Sequence, residues 1–161
     1  MRGSLTLDET FDACRAERVL MHLADPQRAI DEMVRVTRRE GRSVVFDLDW
    51  QTLSINKNDQ RMTRTIAQLM CKQINNGRVG RELNELFTAA GLAEIGVTPQ
   101  TLSAPLYFWH QTLDGLLEQS KRDGKFSSRK IKQWWRALND AHEMGTFLGT
   151  IEGFIVRGRK S

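Results

Sequence analysis

The spacing of apolar residues changes from a short run to a helical repeat near the start of the chain. Residues 11–17 have the composition of a short β-strand, although their charged positions make it more polar than a typical parallel strand. Asp25 and Pro26 predict the start of a helix, because Asp caps a helix N-terminus and Pro suits the first helical position. Helical spacing then continues through Ile30, Met33, Val34 and Thr37.

A second strand follows this helix after a short connection. We expect Arg38 and Arg39 to lie in the last helical turn and Gly41 to be the residue that ends the helix. Residues 42–50 follow, and their apolar positions Val44, Val45, Phe46 and Leu48 form a compact, nearly continuous run that is typical of a central parallel strand covered on both faces. Strand, helix and strand together predict a right-handed βαβ unit.

The rest of the chain predicts further helices and two more strands. The expected helices cover residues 62–74, 80–91, the stretch from Pro105 to Gly124 and the stretch from Ser127 to Gly145, and the expected strands cover residues 92–102 and 147–160. No repeat or low-complexity linker interrupts this order. We therefore expect a single domain over residues 1–161, with an α/β fold in which the last two strands pair antiparallel.

The length, charge and composition of the chain limit the classes of protein to which it could belong. The chain has 161 residues, 40% of them hydrophobic, and a net charge of +4, which suits one domain of ordinary size. It contains neither an apolar run long enough to span a membrane nor the pattern of a secretory signal, so we expect a cytoplasmic protein. Cys14 and Cys71 and the scattered histidines lack the spacing of metal ligands, so no metal site is expected.

Basic residues are concentrated near the last predicted helix. The segment 121–136 contains one acidic residue, Asp123, and the basic residues Lys121, Arg122, Lys125, Arg129, Lys130, Lys132 and Arg136. Such a patch could contact an anionic partner, or it could be the solvated face of a helix. The net charge is modest, so we do not expect a nucleic-acid partner.

Residues 7–50 resemble the middle of a class I S-adenosylmethionine-dependent methyltransferase. The closest type is methyltransferase type 11, which includes the ubiquinone and menaquinone methyltransferases. Leu5, Thr6 and Leu7 stand where that family has "LPF", and residues 38–41 stand for its "KPGG". Residues 80–97 resemble the helix and strand six of the family, and residues 149–160 resemble its strand seven.

This resemblance implies a partial Rossmann-like sheet with strands four, five, six and seven, an antiparallel last strand, and inserted helices. The family's sheet order is 3-2-1-4-5-7-6, and its first three strands carry the glycine-rich turn that binds most of the cofactor. Residues 77–80 and 91–96 do not supply that turn, because neither glycine pair follows a strand and opens a helix. We therefore expect the C-terminal half of such a domain, with strand four exposed as an edge that pairs in a homo-oligomer or with a complementing chain.

The resemblance also implies the cofactor, S-adenosyl-L-methionine. Ligands of open α/β sheets bind beyond the carboxyl ends of the strands. In the resembling enzymes, the end of strand four touches the cofactor, and here that position is occupied by Ala16, Glu17 and Arg18. We expect these residues to form one wall of a cofactor site, and we expect the chain alone to bind the cofactor weakly. Glu17 and Arg18 could equally form a surface ion pair.

Substrate contacts are expected at the end of the next strand. Asp47 and Asp49 should point to the same side, because strand side chains repeat every two residues. Paired carboxylates there, beside Trp50, could orient a substrate hydroxyl or act as a base, or they could be polar residues satisfied at a strand end. Trp109, on an inserted helix, could form part of a lid over the substrate or pack in the core.

Two functions therefore compete, and a nucleic-acid-binding role, motivated only by the basic residues of the segment 121–136, ranks third. The first is an S-adenosylmethionine-dependent methyltransferase, or part of one, acting on a small molecule. The alternative is a catalytically inactive, methyltransferase-like binding or regulatory module. The residues identify no catalytic group.

Overall fold

The computed structural model describes residues 8–56 and 59–161. Leu5, Thr6 and Leu7 of the family resemblance lie outside the described residues. The strands are β1 (Phe11–Glu17), β2 (Thr37–Ile55), β3 (Ala93–Ala104) and β4 (Gly149–Arg159). The helices are α1 (Pro26–Val36), α2 (Gln60–Gln73), α3 (Val79–Ala89), α4 (Leu106–Arg122) and α5 (Ser128–Glu143), with a short 3-10 turn at Leu20–His22.

The four strands form one sheet in the order β1-β2-β4-β3. β1 and β2 are parallel, with Ala13 opposite Arg42 and Glu17 opposite Phe46. A strand–helix–strand unit with parallel strands is what the apolar pattern of the first 50 residues predicts. The order is also the one implied by the resemblance, with β1, β2, β3 and β4 standing for strands four, five, six and seven.

β4 runs antiparallel to its neighbours. Beside β2, the Glu40 amide donates to the Lys160 carbonyl at 2.9 Å and the Asn56 amide donates to the Leu148 carbonyl at 3.0 Å, so residue numbers rise on one strand as they fall on the other. The expected antiparallel last strand is therefore confirmed at this boundary.

Side-chain contacts between β3 and β4 show that these two strands are also antiparallel. Arg159 forms an ion pair with Glu94 at 3.0 Å, while the Thr101 hydroxyl donates to Glu152 at 2.8 Å. Residue numbers again rise along one strand as they fall along the other. The α/β class, the mixed sheet and the inserted helices α4 and α5 are thus confirmed.

The end of the first helix differs from the prediction. Asp25 caps α1 as expected, its side chain accepting from the Arg28 amide at 3.0 Å, but α1 ends at Val36 and not beyond Arg39. Residues 38–41 belong to β2, where they form a bulge that shifts the register with β1. Gly41 is needed for close packing and not as a helix end, since a Cβ there would lie 2.7 Å from the Asp12 carbonyl oxygen.

The remaining helices begin and end near the predicted residues. Ser127 caps α5 by accepting from the Lys130 amide at 3.2 Å, and Gly124 and Gly145 adopt positive φ after α4 and α5. Pro105 occupies the position before α4. None of the helices in the described ranges combines the length and apolar content that a bilayer crossing demands.

The described residues divide into two compact units, each with its own core. The first takes residues from 8–49, 74–100 and 153–161, and the second from 50–56, 59–73 and 101–152. The first core includes Leu20, Ile30, Val45, Leu83, Phe87 and Val156. The second core includes Ile55, Met62, Ile66, Trp109, Leu113 and Leu138. The single domain expected from sequence stays a prediction.

Candidate functional site

A backbone hydrogen bond ties the carboxyl end of β1 to the middle of β2, which continues to Ile55. The Arg18 amide, one residue beyond β1, donates to the Phe46 carbonyl at 2.8 Å. Arg18 adopts a φ of 52°, which turns the chain sharply out of the strand. The 3-10 turn at Leu20–His22 starts two residues later. The turn therefore leaves β1 at the edge of the sheet where open α/β folds bind ligands.

Glu17 and Arg18 carry exposed charges at this end. The Glu17 carboxylate accepts from the Arg15 guanidinium at 2.8 Å and lies 3.9 Å from Arg18 Nε. All three side chains are largely solvated, so these ion pairs contribute little stability, on the order of 0–1 kcal/mol. Ala16 is half-buried beside them. Their role as a cofactor wall stays a prediction.

Asp47 is a fully buried carboxylate that holds the 3-10 turn. Its Oδ2 accepts from the Met21 amide at 3.3 Å, and its Oδ1 accepts from the amide of its own neighbour Leu48 at 3.1 Å. Burial raises the pKa of Asp47 above its ordinary value, while the backbone N–H groups of Leu48, Met21 and Leu20 oppose that rise. The carboxylate thus fixes the backbone beyond β1.

Asp49 is also fully buried, but a different element satisfies it. The Arg81 guanidinium of α3 bonds to Asp49 Oδ2 through both Nε and an Nη atom. α3 can approach because Gly80 has no side chain: a Cβ there would lie 2.6 Å from the Asp47 carbonyl oxygen. The two carboxylates share a strand and are engaged by separate partners. The expectation that they stand at the end of this strand is wrong, because β2 continues through Trp50 to Ile55. Their role in substrate binding stays a prediction.

The two predicted tryptophans lie in the second unit. Trp50 is buried, and its indole N–H has no hydrogen-bond partner among the described residues. Trp109 is fully buried, and its indole N–H donates to the Ala104 carbonyl at 3.0 Å. A Cβ on Gly149 would lie 2.5 Å from that indole nitrogen. The packing of Trp109 suits a core residue, and its role toward a substrate stays a prediction.

Residues that the sequence analysis did not single out complete the first unit's site. The Asn76 amide donates to the Met21 carbonyl at 2.9 Å, and the Asn75 side-chain amide donates to the His22 carbonyl at 2.8 Å. These contacts cross more than 50 residues of chain. The Asn75-Asn76-Gly77 sequence signals the end of α2, but nothing in its spacing indicates a partner near residue 21. Arg81 was missed for the same reason.

Comparison with known proteins matches the first part of the chain to a described family. Residues 4–45 match the family model of the methyltransferase domain. The chain is also 39% identical over 95 residues to an uncharacterized 37.1 kDa protein in transposon TN4556 of Streptomyces fradiae. That alignment covers 58% of this chain and 28% of the relative, so the chain spans under a third of the relative's length.

Solved structures share the fold at low identity. A candidate methyltransferase of Bacillus halodurans is 16% identical, with a TM-score of 0.57 over 97% of this chain and 67% of its own. The YcgJ protein of Bacillus subtilis is 18% identical, with a TM-score of 0.55 over 95% of this chain and 65% of its own. An S-adenosylmethionine-dependent methyltransferase of Thermotoga maritima is 18% identical, with a TM-score of 0.52 over 98% of this chain and 59% of its own.

These matches agree with the resemblance reached from the residues. The family model covers β1, α1 and the first part of β2, where the Phe11–Glu17 strand and the Asp25-Pro26 helix start lie. The solved structures extend the likeness to nearly the whole chain, and this chain covers about two thirds of their length or less. Residues 4–45 therefore match the methyltransferase-domain model, and the chain shares the Rossmann-like α/β fold of part of these solved structures.

Proposed function

We propose that this chain forms the strand-four-to-seven part of an S-adenosylmethionine-dependent methyltransferase that acts on a small molecule. The sheet carries the proposal: β1, β2 and β4 follow the order and directions of strands four, five and seven, and β3 takes the place of strand six at the edge. The methyltransferase-domain match at residues 4–45 supports the same family on independent grounds.

The residues of this chain would form only part of a binding site for S-adenosylmethionine. The carboxyl end of β1 offers Ala16, Glu17 and Arg18, with the backbone held by Asp47 and by the Phe46 carbonyl. Among residues 8–56 and 59–161, no glycine-rich turn connects a strand to a helix. We propose that Glu17 and Arg18 line one side of the cofactor and that a segment with three further strands supplies the other side. No transfer step is assigned to this chain alone.

Calorimetric titration of S-adenosylmethionine into the 161-residue chain tests this division. We expect a Kd weaker than about 10 μM, since in this proposal the glycine-rich side of the cofactor site is supplied by another segment. Binding tighter than this would contradict the partial site. The inactive-module alternative, which the missing glycine turn favours, predicts no methyl transfer from labelled S-adenosylmethionine even when the three-strand segment is supplied. Transfer under that condition would reject the alternative.

The outer edge of β1 is proposed as the surface where that segment pairs. β1 ends the sheet within the described residues, and most of its side chains are exposed, unlike those of a covered parallel strand. Phe11 on β1 is 46% exposed, and Val97 on the opposite edge strand β3 is 44% exposed. Because Phe11 and Val97 are similarly exposed, substitutions at these two residues provide a matched comparison of the two sheet edges.

We expect the isolated chain to self-associate through β1, because an open edge recruits another strand. Light scattering after size exclusion should show a dimer or larger species that Phe11→Lys converts to monomer, since a charged residue blunts an edge strand. Val97→Lys should leave the mass unchanged. A monomeric wild-type chain, or equal effects of the two variants, would contradict this pairing.

The acceptor side is proposed to include Trp50. A buried indole N–H without a partner costs free energy, on the order of 1–3 kcal/mol. A small acceptor with a hydrogen-bond-accepting oxygen or nitrogen would satisfy it. With the assembled enzyme, Trp50→Phe should raise KM several-fold with little change in kcat, since the ring is kept and one binding contact is lost. An unchanged KM would exclude the contact.

A further inference from the structure

One face of α5 carries a row of cations whose side chains form no ion pair within the described residues. Arg129, Lys132 and Arg136 are spaced three and four residues apart, so they lie on the same side of the helix, and all three are exposed. We call them the basic row. Within the described ranges, none of the three side chains forms a hydrogen bond or ion pair, whereas the neighbouring Lys130 side chain pairs with Asp59 at 3.5 Å.

The side chains of the basic row border an open groove. Its volume is about 450 Å³, and Ser128 and Gln133 are its other lining residues. The row extends roughly 10 Å along the helix axis, from the rise of 1.5 Å per residue. An open groove of this length along a single helix suits an extended chain of charges better than an enclosed small molecule.

The charges of α5 run against the helix dipole. Its first turn contains no acidic residue, and Arg129, Lys130 and Lys132 occupy its amino-terminal half. Asp140 and Glu143 lie near its carboxyl end. A helix dipole favours the opposite arrangement, with acids first and bases last. A local preference that is broken in this way is expected at functional surfaces.

We propose that the basic row binds the phosphate backbone of a single-stranded nucleic acid. Two of its three members are Arg, whose forked guanidinium matches the oxygens of a phosphate. The proposal goes beyond methyl transfer and does not depend on it. Sequence alone ranked nucleic-acid binding last, because it shows only how many basic residues the segment 121–136 contains. The structure adds which of those side chains have no partner.

The surroundings of the basic row favour nucleic acid over a membrane. Membrane-surface helices place apolar residues beside their cations, but the apolar face of α5, with Ile131, Trp134 and Leu138, is buried. Trp135 lies one turn beyond Lys132 and is partly exposed, and its ring stacks on His110 with centroids 3.7 Å apart. Surfaces that bind single strands combine cations with aromatic rings on which bases stack, and the exposed part of Trp135 is next to Arg136 on the helix.

Fluorescence anisotropy with a labelled 20-nucleotide deoxythymidine strand tests the proposal on the 161-residue chain. Three phosphate contacts predict a salt slope of about −2, so the affinity should fall about 20-fold between 50 and 200 mM salt. The row variant R129Q/K132Q/R136Q should bind at least about tenfold more weakly at 50 mM salt. The control variant R28Q/R64Q/K72Q removes the same total charge from exposed positions outside α5, and its affinity for the strand should fall less than about threefold.

A gain-of-function variant keeps the test independent of folding losses. Gln133→Lys adds a cation within the row and should raise the affinity about fivefold at 0.1 M salt. Circular dichroism of each variant checks that the helices are retained. The proposal is overturned if the control loses as much affinity as the row variant, if Gln133→Lys has no effect, or if the chain binds phosphatidylserine vesicles and not the oligonucleotide.

Discussion

Replacing Gly80 with Ala tests how closely α3 must approach β2. A Cβ at Gly80 would lie 2.6 Å from the Asp47 carbonyl oxygen and 2.9 Å from the Leu48 carbonyl group. Both neighbours are backbone atoms of a sheet strand, which cannot rotate away as a flexible side chain would. α3 would have to recede by about 0.8 Å to reach an ordinary contact, and Arg81 would move away from Asp49 with it.

The size of the effect follows from two opposing contributions. Ala is a better helix former than Gly by about 1 kcal/mol in a helix interior, and by less in the first turn, where Gly80 lies. Overpacking against fixed backbone costs about 1–3 kcal/mol, and a weaker Arg81–Asp49 pair adds to that cost. We expect Gly80→Ala to lower the free energy of unfolding by about 2 kcal/mol.

Gly115 provides the matched control. It lies within α4, is exposed, and has nothing within 4 Å of its ideal Cβ. Gly115→Ala should therefore raise the free energy of unfolding by about 1 kcal/mol and the Tm by about 2–4 °C. Urea and thermal unfolding followed by circular dichroism measure both variants. If Gly80→Ala is as stable as Gly115→Ala, the close approach of α3 to β2 is not required by packing, and the reasoning fails.

Two further predictions concern the buried carboxylates. Arg81→Met removes the cation that pairs with the fully buried Asp49, and it should lower the free energy of unfolding in urea by about 2 kcal/mol, a cost reduced by the 45% exposure of Arg81. The control Arg78→Met removes one partner of a half-exposed ion pair and should lower it by under about 0.5 kcal/mol. Equal losses in the two variants would refute a special role for the buried pair. Burial raises the pKa of Asp47 in the folded protein, so protonation of Asp47 favours the folded state. This stabilisation is fully present below the ordinary pKa near 3.8 and is lost as pH rises through the raised pKa of the folded protein. Asp47→Asn should flatten this fall in unfolding free energy between pH 4 and pH 8, and parallel pH curves for the two proteins would contradict the assignment.

The sequence predicted most of the elements because their signals are local. Apolar spacing, the Asp25-Pro26 helix start, the Ser127 cap and the glycines after α4 and α5 each depend on residues within one or two turns. The family resemblance added the sheet order, which periodicity alone does not contain. The prediction failed at residues 37–41, where two arginines and a glycine imitate a helix end, although they form a strand bulge against β1 and β4.

The sequence by itself determined most of the elements and placed Glu17 at the carboxyl end of β1, but β2 continues to Ile55, so Asp47 and Asp49 lie within that strand and not at its end. Tertiary structure decided what those residues do. Asp47 bonds to a backbone amide 26 residues away, and Asp49 pairs with a guanidinium 32 residues away. The partner of a buried carboxylate depends on which element packs against its strand, and no local spacing encodes that packing. The same distinction applies to α5, where the sequence contains the charges and only the structure shows which of them have partners.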